Sequence, residues 1–232
     1  MSIEVPNNDQ GAETDASIQF VDTPKAVREG ETLDIVAVDA WLKKHITDLS
    51  GEPVVTQYSG GASNWTYCLD YPNQSLILRR GPEGTKAKGA HDMGREYRLQ
   101  TALKPVYDYV PKMLAHCEDE SVIGAEFYVM EKLTGIIPRK NLPKGLKVSE
   151  AQTRQLCTNV IDCLIELHQV DIKTTGLDSL GKGAGYIQRQ IDGWSERYNK
   201  AKTWNVPSGK KVMHWLQPVS YTHLTLPTKR IV

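Results

Sequence analysis

The sequence predicts an α+β fold: a small antiparallel sheet first, helices after it. Three observations carry that prediction. Three short β-prone runs, Pro53–Tyr58, Trp65–Leu69 and Ser75–Leu78, succeed one another across turn residues Gly60-Gly61 and Asn73-Gln74. Two more apolar runs, Val110–Cys117 and Gly124–Leu133, lie beyond a helical stretch and are joined by a polar turn, Glu118–Ser121. From Ser149 onward the apolar residues recur at helical spacing instead of alternating.

Each element has its own signal. Residues 1–19 are polar and acidic and are expected to be disordered. Phe20–Glu31 reads as an extended lead-in. Asp34 can cap a helix whose Ile35, Val38, Trp41, Leu42 and Ile46 share one face, and that face is expected to pack on the sheet. After the third strand, Gly81–Ala90 is a loop rich in Gly and Lys. His91–Leu103 is a helix with Glu96 in its middle, and Pro105 ends it. Thr134–Lys147 is a connector. Ser149 with Gln152 three residues on is a capping-box pattern opening a long helix, with Leu156, Val160, Cys163, Leu164 and Leu167 as its apolar stripe. Val170–Leu180 reads as a loop. Tyr186–Lys202 is a second amphipathic helix, with Trp194 and Tyr198 on a stripe of core type, and Lys210–Gln217 begins a third.

Composition narrows the function classes. The 232 residues carry 28 basic and 28 acidic side chains, so nothing marks a polyanion binder, and no nucleic-acid partner is expected. Without a membrane-length apolar run or a leader pattern near Met1, no membrane partner is expected. Cys68, Cys117, Cys157 and Cys163 show no CxxC spacing and no clustered His, which points to reduced thiols in the cytoplasm and not to zinc.

The chemistry-bearing stretch is Tyr58–Tyr67. Adjacent glycines can turn amide N–H groups toward one point, Ser63 and Asn64 add donors, and Arg79 ends the third strand: together these can hold a polyphosphate. By itself the stretch fits a plain glycine hairpin better, because a lone Gly-Gly is a weak signal. The order of the downstream elements adds weight. Arg79 comes 18 residues after Gly61, Glu96 comes 17 after Arg79, and a strand then runs into a glycine-containing linker and helices. A turn covering phosphates, a strand cation and a helix carboxylate fixing that cation form a working phosphate site.

The ordered set Gly60-Gly-Ala-Ser-Asn64, Leu76-Ile-Leu-Arg-Arg80, Arg95-Glu-Tyr-Arg98, Tyr128–Gly135 and Leu164-Ile-Glu-Leu-His168 resembles the aminoglycoside phosphotransferase and choline-kinase group, which has the protein-kinase-like fold. Gly185–Trp194 is similar to the subgroup whose domain is also found joined to acyl-CoA dehydrogenases. The resemblance implies an N-lobe over 20–134, a five-stranded antiparallel sheet with an inserted helix, and an incomplete helical C-lobe over 135–217. It implies ATP with Mg²⁺, and transfer to a hydroxyl of a small metabolite, with a hydroxyacyl thioester favoured over an antibiotic. Gly60, Gly61, Ser63 and Asn64 would cover the phosphates. Arg79 stands where the family usually has lysine, and its forked head makes a different contact. Glu96 would pair with it, although alone it reads as a surface carboxylate between Arg95 and Arg98. Met130, Glu131 and Leu133 would line the adenine pocket, the last two through backbone atoms; without the resemblance they are an ordinary strand end.

The family's catalytic Asp and its magnesium ligands lie in a later loop, and this sequence has no Asp or Glu after Glu196. No catalytic residue and no metal ligand is therefore assigned, and the chain as written is expected not to transfer phosphate and to expose apolar helix faces. Val219–Thr228 also reads as a one-frame translation of a transposase adapter used in building sequencing libraries, so residues 218–232 are expected to be a non-native tail. A non-catalytic, kinase-like nucleotide-binding or interaction module is the second reading.

Overall fold

The computed structural model describes residues 19–59, 64–82, 92–138, 140–181, 183 and 185–219. The fold is α+β. Helix α1 spans Ile35–His45, followed by strands β1 (Val54–Gln57), β2 (Trp65–Asp70) and β3 (Ser75–Arg80). Helix α2 (Met93–Leu103) precedes β4 (Met113–Cys117) and β5 (Phe127–Glu131). Helices α3 (Glu150–Gln169), α4 (Tyr186–Ala201) and α5 (Lys210–Val219) complete it, with a short 3₁₀ turn at Leu177–Leu180 where a plain loop was expected.

The five strands form one sheet in the order β1-β2-β3-β5-β4, with every pairing antiparallel. The lead-in adds one bridge to its edge: Lys25 exchanges backbone bonds of 2.8 and 2.7 Å with Gln57. Strand β4 begins three residues later than the apolar run suggested, and its register shifts between Met113 and Ala115.

Strand alternation sorts the side chains into two faces. One face carries Tyr67, Leu69, Leu76, Leu78, Phe127 and Val129, all buried, and α1 seats Val38 and Leu42 on it. Trp41 meets Phe127 edge-on at 5.2 Å. Burying Val38 and Leu42 contributes on the order of 1.5–3 kcal/mol each. Asp34 starts the helix by accepting the Ala37 N–H at 3.0 Å. The opposite face carries Thr66, Ile77, Arg79, Tyr128 and Met130, with α2 over part of it.

Contacts divide the chain at Leu177/Asp178, so α3 groups with the sheet and α4 with α5. The boundary read from the sequence lay at 134/135. In the first unit, the Tyr107 hydroxyl donates to the Cys163 carbonyl of α3 at 3.2 Å. In the second, Gln217 of α5 bonds Asp192 and Gln188 of α4. There Ile191, Trp194, Tyr198, Pro207, Met213 and Leu216 line an apolar groove of about 740 Å³. The α4 stripe therefore lines a groove, and Trp194 is 63% exposed where a core position was expected. Helix α5 runs through Pro218, one residue past Gln217 where the expected tail begins. The rest of that tail, from Ser220, lies outside the described residues.

Candidate nucleotide site

The site is built on the sheet face opposite α1. Thr66, Arg79, Tyr128 and His116 stand in one cross-strand row, from β2 through β3 and β5 to β4. The next row is Thr56, Cys68, Ile77, Met130 and Met113. The period of two puts these residues on a single face, and antiparallel pairing brings them side by side.

Helix α2 adds the carboxylate. Asp92 caps it by accepting the Arg95 N–H at 2.7 Å, which fixes the first turn and with it Glu96. Glu96 then meets three partners from three strands or strand ends. Arg79 Nη1 lies 3.6 Å from Oε2, the Tyr128 hydroxyl donates to the same oxygen at 2.8 Å, and Asn64 Nδ2 donates to Oε1 at 3.1 Å. Arg79 Nε is buried without a hydrogen-bond partner. A buried cationic N–H left unpaired is costly; the side chain as a whole is 31% exposed, so the rest of the guanidinium can meet solvent or a ligand. The neighbouring Arg80 does a different job: it is 2% exposed, its guanidinium sits 4.9 Å over the Trp65 ring, and it donates to the carbonyls of Gly81 and Ile123.

Beside this row lies a cavity of about 340 Å³. Thr66, Ile77 and Met130 line it from the sheet, Tyr58 stands at the end of β1, and Glu131–Gly135 line it beyond β5. Val21, Pro111 and Ile137 add apolar wall. The Glu131 carboxylate is engaged elsewhere, accepting the Lys112 N–H at 2.7 Å. Leu133 lines the cavity while being 63% exposed. A largely apolar cavity of this size suits a small heteroaromatic group.

At the cavity rim, Lys132 is held 3.3 Å from Asp70, which also accepts from Ser75 at 2.5 Å and from the Cys68 thiol at 3.3 Å. Burial alone would raise the Asp70 carboxyl; the Ser75 and Cys68 hydrogen bonds and the Lys132 charge outweigh it and hold it below its usual range. Burial and the Asp70 carboxylate push the Cys68 thiol up to about 11. Burial, assisted by the Glu96 carboxylate, pushes the Tyr128 phenol up to about 12.

Of the residues singled out from sequence, Arg79, Glu96 and Asn64 come together, and Met130, Glu131 and Leu133 line one cavity. Asn64 puts its amide on Glu96, where a phosphate contact was expected. Gly60, Gly61 and Ser63 lie outside the described residues. Sequence reasoning missed Tyr128, Ile77, Thr66, Tyr58 and Lys132. Alternation could have found two of them: Tyr128 is two residues from Met130, and Ile77 is two from Arg79, so each shares its neighbour's face. Among the described residues, no group of three or more His, Cys, Asp and Glu side chains could hold a metal ion.

Comparison with known proteins bears on the same region. Residues 54–217 match the model of the phosphotransferase enzyme family. Rat acyl-CoA dehydrogenase family member 11 is 36% identical over 187 residues, 79% of this chain and 24% of that protein. Mouse acyl-CoA dehydrogenase family member 10 is 35% identical over 197 residues, 84% of this chain and 18% of that protein. The chain thus spans a quarter or less of the length of these relatives. A crystal structure of a Ralstonia eutropha JMP134 protein assigned to the aminoglycoside phosphotransferases aligns with a TM-score of 0.61 and 33% identity, over 79% of this chain and 53% of that one. With its sheet order, inserted helix and matched span, the chain belongs to the phosphotransferase enzyme family and has the protein-kinase-like fold.

Proposed function

We propose that this chain is the nucleotide-binding portion of an ATP-dependent small-molecule kinase. Adenine would sit on Ile77 and Met130, along the Glu131–Leu133 backbone, and Arg79 would meet the phosphates. One observation supports the reading: a largely apolar cavity and a partly exposed strand cation, Arg79, occupy neighbouring rows of one sheet face, where a base and its phosphates could lie side by side. ATP bound there supplies the transferable phosphoryl group. The chain's own residues position it and neutralise its charge. The phosphate acceptor in this reading is a hydroxyl on a small metabolite of hydroxyacyl-thioester type, supported by likeness to the acyl-CoA dehydrogenase family members. A cytoplasmic setting is part of the same reading.

The absence of any Asp or Glu after Glu196 in this sequence favours a restriction: these 232 residues bind nucleotide without turning it over. It equally supports a non-catalytic kinase-like module as the second reading. Titration calorimetry with ATP and with adenosine, alongside an ATP-consumption assay, tests both. The expected result is binding of both ligands, no turnover, and a loss of about tenfold to a hundredfold in ATP affinity for Arg79→Ala with adenosine little changed. Wild-type protein that binds neither ligand would overturn the reading. Turnover by this chain would overturn the restriction.

A further inference from the structure

We propose that Tyr128 is a positioning residue for the phosphate contact: its hydroxyl holds Glu96 so that the carboxylate can fix Arg79. The inference rests on the nucleotide reading above and adds a residue to it. A strand lysine can meet a helix carboxylate as a point charge; an arginine must present a planar fork in the right plane. Here the fork does not close on the carboxylate. Arg79 reaches Glu96 only through Nη1, at 3.6 Å, beyond hydrogen-bond range. The close contact on that oxygen is the Tyr128 hydroxyl, at 2.8 Å.

The phenol is well placed for the task. Tyr128 is fully buried on the central part of β5 and is the direct cross-strand neighbour of Arg79. Its ring therefore sits beside the guanidinium stem while its hydroxyl reaches α2. Asn64 takes the other carboxylate oxygen from the start of β2. Glu96 is thereby held by two neutral donors, one on each oxygen, while the cation keeps a buried, unpaired Nε. Neutral donors orient the carboxylate without competing for the guanidinium's charge. In this arrangement the tyrosine fixes the carboxylate, and the carboxylate orients the guanidinium that would meet the phosphates.

Tyr128→Phe deletes one oxygen and keeps the ring, so the variant should fold. The measurement is ATP, adenosine and tripolyphosphate affinity by calorimetry for wild type, Tyr128→Phe, Glu96→Gln and the double variant, with thermal melting of each. The expected result is a loss of about three- to tenfold for ATP and tripolyphosphate, with adenosine unchanged. The double variant should bind ATP no worse than Glu96→Gln alone, because both changes act through one carboxylate. Tyr97→Phe, a phenol change on α2 itself, should leave all three affinities unchanged. Equal losses for ATP and adenosine would mark a merely structural role and overturn the inference. So would wild-type ATP affinity in Tyr128→Phe, or additive losses in the double variant. A wild-type protein that binds no ATP would overturn the nucleotide reading and this inference with it, so the two failures are distinguishable.

Discussion

The sheet with α1 and the long helix α3 differ in how much of their apolar surface they bury. Both start with well-formed caps: Asp34 accepts from Ala37 at the start of α1, and Ser149 and Gln152 form a complete capping box at the start of α3. Both carry an apolar stripe. Yet α1 buries Val38 and Leu42 completely, whereas no residue of α3 is buried, and Val160, Ile161, Leu164 and Ile165 are all exposed. Local signals of equal quality have led to opposite burial. A cap and a stripe specify that a helix forms and which face is apolar; only a facing surface makes that stripe a core.

Truncation of one leucine on each helix is the strongest way to break this comparison. Leu42→Ala should cost about 2–5 kcal/mol, because it opens a cavity under Tyr67, Leu69 and Phe127. Leu164→Ala should cost no more than about 0.5 kcal/mol, the range of an ordinary surface change. Urea unfolding of both variants, followed by tryptophan fluorescence, gives the two values. Comparable losses would mean that α3 is covered in solution and that the contrast is wrong.

A subtler test lies at the start of α2, where the site and the core meet. A Cβ on Gly94 would stand 2.8 Å from Glu126 Oε1, 2.9 Å from Arg98 Nη1 and 3.2 Å from His116 Cε1. Arg98 can swing away. Glu126 cannot move as freely, since it bonds His116 Nε2 at 2.7 Å, and His116 is stacked on Tyr97. Gly94→Ala should therefore destabilise by about 1 kcal/mol, even though alanine is the better helix former by a similar amount. In a His116→Ala background the clash is relieved, and the same change should become neutral or stabilising. A stabilising Gly94→Ala in the wild-type background would show that the His116–Glu126 pair yields readily.

These contrasts show what the sequence could and could not disclose. The five strands, the inserted helix and the α1 stripe were legible because period-two and period-3.6 patterns are local. The Arg79–Glu96 approach was legible only through resemblance; spacing alone left Glu96 as a surface carboxylate. The different roles of Arg79 and Arg80 were also hidden. Adjacent arginines look alike in a sequence, but alternation sends one to the α2 face and the other over the Trp65 ring. Tyr128 was missed because its role depends on register across β3 and β5, which fixes its neighbour as Arg79. The bond from Asn64 to Glu96 spans 32 positions and has no local trace.

The last contrast is silent at neutral pH and separates the sheet from the helices in alkali. Cys68, Tyr128 and Tyr71 are buried on the sheet, and burial raises all three, Cys68 to about 11 and Tyr128 to about 12. Each is an acid that stays protonated longer in the folded chain than in the unfolded one. Above the ordinary thiol and phenol range, near 9 to 10, the unfolded chain loses its protons first and stability falls as pH rises. The sheet should hold its full stability up to about pH 8.5 and lose it progressively through pH 9–11. Cys68→Ser should remove the earliest part of that decline, because the thiol has the lowest ordinary value of the three. The exposed thiol of Cys157 on α3 provides the internal comparison. At pH 8, alkylation should modify the exposed Cys157 while Cys68 reacts at least about a hundredfold more slowly, since burial both blocks access and suppresses its thiolate. Peptide mapping by mass spectrometry after timed alkylation reads both rates in one sample. Equal labelling would place Cys68 at an accessible surface and remove the sheet's claim to be the buried half of the contrast.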